Sequence, residues 1–167
     1  MRRLVLALAA LPLFAGPSFA QMATVTPDQI GEVFCIARLG NDDGILTGVL
    51  DSELQGMIDT ATAVSDKAAR LHPDEKPPLG DGIPWSSFPD YAAECSVGSV
   101  AVEGGTARVT IQYGFPESRD ADYADTLLLA QVPHPYDVDT KIWRIDDILY
   151  TTSGTLREVL AETASQQ

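Results

Sequence analysis

The chain has 167 residues, 24 of them acidic and 11 basic, for a formal charge of −13. A field of that sign repels phosphate backbones and anionic lipid, which argues against nucleic-acid binding. It steers a basic protein partner or a cationic ligand inward, and it also favours solubility.

At the N-terminus, Arg2 and Arg3 precede an apolar run from Leu4 to Phe14 broken only by Pro12, and Ser18 and Ala20 supply the small residues that a signal peptidase fits. The pattern predicts a signal peptide over 1–20, cleaved after Ala20 to leave Gln21 first. A membrane anchor needs about twenty apolar residues, and Pro12, Gly16 and Pro17 interrupt the run too early. A lipoprotein needs a cysteine just after the cut, and Gln21 stands there. The mature form is thus expected to be periplasmic or secreted, without a membrane anchor. Of the 167 residues it keeps 147, at a charge of −15 once Arg2 and Arg3 are gone, which is enough for a single domain over 21–167 with an ordered core from about 26 to 163.

Thr26-Pro27-Asp28-Gln29 combines a capping hydroxyl, a proline at the first helical position and a Gln able to reach back to the cap. Ile30, Val33, Phe34 and Ala37 follow at helical spacing, and the helix ends near Gly40. Cys35 lies at the flank of that stripe. With Cys95 it makes an even pair, which in an oxidising compartment reads as a disulfide; no metal is expected, since the spacing that zinc needs is missing and His72 and His134 each stand alone.

Asn41 to Gly44 is a turn, after which Asp51 or Ser52 caps a second helix with Leu54, Met57, Ile58, Ala61, Val64, Ala68 and Leu71 on its apolar face, stopped by Pro73. A Pro- and Gly-rich stretch runs from His72 to Ala93, too long for a plain connector. Its aromatics Trp85, Phe88 and Tyr91 either pin the segment to the core or form a binding loop.

The period then changes to two. Val97–Glu103 and Thr106–Phe115 flank Gly104-Gly105 as an antiparallel hairpin, and Asp125–Val132 and Lys141–Tyr150 make a second, joined through Pro133, Pro135, Tyr136 and Asp137. Trp143 and Ile145 share one parity while Ile148 and Tyr150 share the other, so a β-bulge at Asp146-Asp147 is expected, and a bulge curves the sheet. Thr155-Leu156-Arg157-Glu158 is a capping box opening a short terminal helix. The fold class is α+β: N-terminal helices packed on a curved antiparallel sheet of about four strands, with a short C-terminal helix.

That order, with Trp143-Arg144-Ile145-Asp146-Asp147-Ile148 and Tyr150 in the final strand, resembles the cone-shaped nuclear-transport-factor-2-like (NTF2-like) superfamily, and more narrowly its exported members of unknown function. The resemblance implies a hydrophobic pocket between the helices and the concave sheet, and a homodimer paired through exposed sheets. Ketosteroid isomerases of similar architecture use an aspartate base and a tyrosine donor, which directs attention to Asp146, Asp147, Tyr113 and Tyr150. No isomerase motif matches residue by residue, so no catalytic role is carried over.

Acid–base work at Asp146 or Asp147, with Tyr150 or His134 as donor, requires a carboxylate desolvated in a pocket. An Asp pair at a bulge also caps free backbone groups, or pairs with Arg144 or Arg157. Asp51 to Gly56 begins like a calcium loop but has Thr62 at the twelfth position, and Asp120, Asp122 and Asp125 have ligand-like spacing in an exposed acidic segment. No cofactor is implied. The expected role is an exported, acidic, non-catalytic binding module for a basic protein or a small apolar ligand. Its alternatives are a small cone-fold hydrolase or isomerase with an Asp base, and an envelope inhibitor or immunity protein against a basic enzyme.

Overall fold

The computed structural model describes residues 24–80 and 82–166; the expected leader and its cleavage site lie outside them. Helix α1 spans Pro27–Gly40. Gln29 Oε1 accepts the Thr26 N–H at 3.0 Å, as the capping pattern requires. Asn41, left-handed at φ 48°, ends the helix, and the next N–H, from Asp42, reaches Ala37 O at 3.0 Å. The expected turn after it is a 3-10 helix, Asp43–Gly48, whose Leu46 is fully buried. That apolar anchor is why the segment tightens into a helix rather than looping outward.

Helix α2 spans Ser52–Leu71, with Asp51 Oδ1 accepting the Glu53 N–H at 2.8 Å. Leu54, Ile58 and Ala61 are buried, but the expected stripe does not run to its end: Ser65 takes the next buried place and Leu71 is exposed. The Ser65 hydroxyl is inside because its oxygen accepts the Leu79 N–H at 3.2 Å from the Pro-rich segment.

Four strands form one antiparallel sheet in the order β1 (Glu94–Glu103), β2 (Thr106–Gly114), β3 (Tyr123–His134), β4 (Asp137–Leu149). Gly104, at φ +58°, turns β1 into β2. Asp146 falls between the pairs Leu128↔Asp147 and Leu129↔Ile145, so the bulge lies where the parity change placed it, and Ile145, Ile148 and Tyr150 are all buried. A second bulge, between Val97 and Val100 in β1, leaves no such mark in the sequence. The β3–β4 hairpin is longer than expected: after an irregularity that leaves 138–140 unpaired, pairing resumes at His134↔Asp137, and Pro135-Tyr136 is a two-residue turn.

Helix α1 lies across the concave side of the curved sheet over β1 and β2, its Ile30, Phe34 and Ala37 buried against Val109 and Ile111. The approach is close enough that a Cβ on Gly31 would fall 2.8 Å from Val97 Cγ2 and 2.9 Å from Val109 Cγ1. Beside this contact, Cys35 and Cys95 form a disulfide with their Cα atoms 5.3 Å apart, tying α1 to β1.

Helix α3, Leu156–Ala164, packs on α2 through Leu156 and Leu160. The capping box forms as read, with Glu158 Oε2 accepting the Thr155 N–H at 2.9 Å and Thr155 Oγ1 accepting the Glu158 N–H at 3.3 Å. Opposite the free edge of β4, Leu50 pairs with Ile145 in parallel, and Asp51 N–H reaches Ile145 O at 2.8 Å. No described helix is long and apolar enough to cross a membrane.

Candidate functional site

The Pro-rich segment packs as a lid over the end of the sheet where β3 begins and β4 finishes. Trp85 sinks into the core, and two anchors from beneath fix the chain on either side of it. The Tyr150 hydroxyl donates to Pro84 O. Asp125, 1 % exposed, accepts at Oδ2 from Ser87 N–H at 2.8 Å and at Oδ1 from the Ser87 hydroxyl and from Thr151 N–H at 2.9 Å. A buried carboxylate is tolerated where hydrogen bonds replace its hydration, and here every one of those bonds fastens the lid or the turn after β4 to β3.

Aromatic rings fill the space between these anchors. Tyr123 stacks on Tyr113 with centroids 4.6 Å apart, and Phe88 meets Tyr123 edge-on at 4.8 Å. Burial, reinforced by the charge of Asp125, pushes the Tyr113 and Tyr150 hydroxyls well above the ordinary phenol range, so both remain neutral; Tyr150 donates to Pro84 O, whereas the buried Tyr113 hydroxyl has no hydrogen-bond partner among the described residues. Beside Tyr113 and Tyr123 a cavity of about 10 Å³ remains, lined also by Arg38, Ser86 and Tyr91. Such a volume admits about one water molecule, so this cavity falls short of the ligand pocket that the resemblance implies. A broad groove of about 700 Å³ lies along α2, lined by Ala63, Val64, Lys67 and Leu71 and by none of the candidate residues.

The other candidates go to separate places. Asp146 Oδ1 receives Arg157 Nη2 at 2.7 Å, and Arg157 Nε donates to the Asp146 carbonyl at 2.7 Å. Asp147, buried, accepts the N–H groups of Ile148 at 2.8 Å and Arg157 at 3.0 Å, which caps the first turn of α3. Arg157 also reaches Glu53 at 3.5 Å and Asp51 at 3.8 Å, so one guanidinium joins β4, α2 and α3. His134 lies six positions along β3 from the residue facing Asp147, on the order of 20 Å away; its Nδ1 accepts the Tyr136 N–H at 3.2 Å. The set of Asp146, Asp147, Tyr150 and His134 is therefore not gathered at one reacting point.

The Asp120, Asp122 and Asp125 cluster also disperses, because Asp122 accepts Phe115 N–H at 2.8 Å while Asp125 points inward. Among the described residues no group of three His, Cys, Asp or Glu side chains is placed to hold a metal ion.

On its outer side the lid presents Phe88 and Tyr91, both exposed. Tyr91 is held in place: its hydroxyl donates to Asn41 Oδ1 at 2.7 Å, and the Arg38 guanidinium, itself bonded to Asp43 at 3.1 Å, sits 5.4 Å from its ring centre. Leu39 lines the same small cavity and is exposed beside it, with Ile36 one turn earlier on α1. Of the three aromatics marked as a binding loop, Trp85 serves the core and Phe88 and Tyr91 face outward. Asp125, singled out in the sequence only for ligand-like spacing with Asp120 and Asp122, organises the site together with Ser87, which motif reading missed. Comparison with protein-family models, with curated proteins and with solved structures finds no match for this chain.

Proposed function

We propose that this chain is an exported, non-catalytic module that binds a cationic protein through the lid and the adjoining end of α1. One observation carries the reading: the carboxylate best placed under the lid, Asp125, has both oxygens engaged by Ser87 and Thr151. A general base needs a free lone pair aimed at substrate, and these lone pairs hold the lid down instead. Asp146 and Asp147 are each held through Oδ1, by the Arg157 guanidinium and by the N–H groups of Ile148 and Arg157 respectively.

The outer face supports the other half of the reading. Tyr91 is 61 % exposed yet fixed at its hydroxyl and its ring, and Leu39, which lines the same cavity, adds apolar surface beside it, with Ile36 and Phe88 exposed on the same two segments. Rigid tyrosines surrounded by aliphatic contacts are the usual anchors of protein interfaces. Asp90 lines the small cavity beside Tyr91 and the whole chain is strongly negative, which speeds encounter with a basic surface. The leader pattern and the disulfide support export, and the cone-like NTF2 architecture is the family setting we propose for the fold.

The test is retention of envelope proteins from the producing cells on the immobilised mature domain at moderate and at high salt. Basic proteins should be retained at moderate salt, released at high salt, and lost with a Leu39→Ser/Tyr91→Ala variant that keeps its fold. Retention of no basic protein would sink the proposal. So would a hydrolase or isomerase activity that disappears in a folded Asp146→Asn/Asp147→Asn variant.

A further inference from the structure

Beyond the lid, the hairpin of β3 and β4 outruns the rest of the sheet. Pairing of β2 with β3 stops at Thr106↔Ala130, after which Gly105 O accepts one last N–H from Gln131. From Val132 onward the two strands pair only with each other, as a ribbon that ends in Pro135-Tyr136.

The end of the ribbon is ordered by its own bonds. Asp137 Oδ2 accepts the Thr140 hydroxyl at 2.7 Å and its Oδ1 accepts the Asp139 N–H at 3.3 Å, while His134 Nδ1 accepts the Tyr136 N–H. The Thr140 bond, then the Asp139 bond, hold the Asp137 carboxyl below the usual carboxylate range. On this pinned end Tyr136 is 93 % exposed and Val138 79 % exposed. Two-residue hairpin turns favour Asn-Gly and similar pairs for their backbone conformations, so the turn itself does not call for a tyrosine. The backbone of the turn is held, and the Tyr136 ring, 5.9 Å from that of His134 between centroids, has few rotatable bonds to order on docking.

We infer that the tip of the β3–β4 ribbon is a second docking element, whose Tyr136 and Val138 enter an apolar depression on a cationic protein while Asp137 and Asp139 meet Lys or Arg side chains at its rim. This rests on the proposed binding of a cationic partner. Charge selects that occupant: the tip carries two carboxylates and the chain is at −13, so a second copy would bring like charges together. Lys141 pairs with Pro133 on the rung below His134↔Asp137 and offsets one of the two carboxylates locally, so the selection rests mainly on the charge of the whole chain; Arg144 lies farther down the shaft.

The experiment is photo-crosslinking in the producing cells, with p-benzoylphenylalanine at position 136, at position 91 on the lid, or at the exposed control position 63. Capture at 136 should yield a protein, identified by mass spectrometry, that is basic and whose linked peptide has apolar residues beside Lys or Arg. Val138→Asp should cut that yield about tenfold. Capture of a second copy, of an acidic protein, or of nothing beyond the position 63 background overturns the ribbon as a docking element. Loss at 136 with a basic partner captured at 91 leaves the lid reading standing, whereas loss at both removes the two together.

Discussion

Ser87 and Asp125, 38 positions apart, are joined twice, once through the Ser87 backbone N–H and once through its hydroxyl. This pair sets the height of the lid above the sheet. Asp125→Asn keeps the shape but removes the charge and one acceptor, and should cost about 1–3 kcal/mol in urea unfolding. Ser87→Ala removes only the hydroxyl bonds, and the double variant should cost less than the two single losses added together. Strict additivity would mean that the two residues do not act as a unit.

Gly31→Ala sets two effects against each other. A helix interior gains about 1 kcal/mol from alanine, but the new methyl meets Val97 Cγ2 and Val109 Cγ1, and Val109 is fully buried. Overpacking of this kind costs about 1–3 kcal/mol, so the variant should be less stable than the parent. Adding Val97→Ala should recover part of the loss. A more stable Gly31→Ala protein would show that α1 can lift away from the sheet.

Reduction of Cys35–Cys95 opens a cross-link across 60 positions of sequence. Closing a loop of that length constrains the unfolded chain by roughly 4 kcal/mol. The Cys35→Ala/Cys95→Ala protein should therefore fold with a lower melting temperature and, since α1 stays packed through Ile30 and Phe34, an unchanged far-ultraviolet circular dichroism spectrum. A spectrum that loses helix at room temperature would mean that the cross-link, rather than packing, holds α1.

Tyr113 and Tyr150 bring an alkaline limit. Their folded pKa values lie above the unfolded value of 10.0, so the native state retains protons that the unfolded chain releases. Their contribution is complete below pH 10 and falls as the pH climbs past it. Phenolate absorbance should rise abruptly together with unfolding, and Tyr150→Phe should shift that transition to higher pH while weakening the lid at neutral pH. A smooth titration of both hydroxyls near pH 10 in the folded protein would contradict their burial.

Local chemistry made most of the scaffold legible. The capping boxes at Thr26 and Thr155, the glycine turn at Gly104 and the parity change around Asp146 each depend on neighbours within a few residues, and each lies where the sequence placed it. The site was harder to read because its bonds span long distances. Asp125 shares its parity with buried Leu127 and Leu129, which marks an inward-facing acid, but its partner Ser87 sits in a proline-rich stretch with no period at all. The reach of the ribbon was also hidden, since Pro133 and Pro135 read as a turn while the pairing runs on past Pro133 to His134.

Arg157 lies near the C-terminus, yet it closes contacts with Asp51 and Glu53 at the start of α2 and with Asp146 in β4. One side chain from α3 thus ties the start of α2 to the bulge of β4, two segments far apart in sequence. Truncation just ahead of α3 removes this guanidinium together with the buried Leu156 and Leu160, and should leave a product open to proteases along α2.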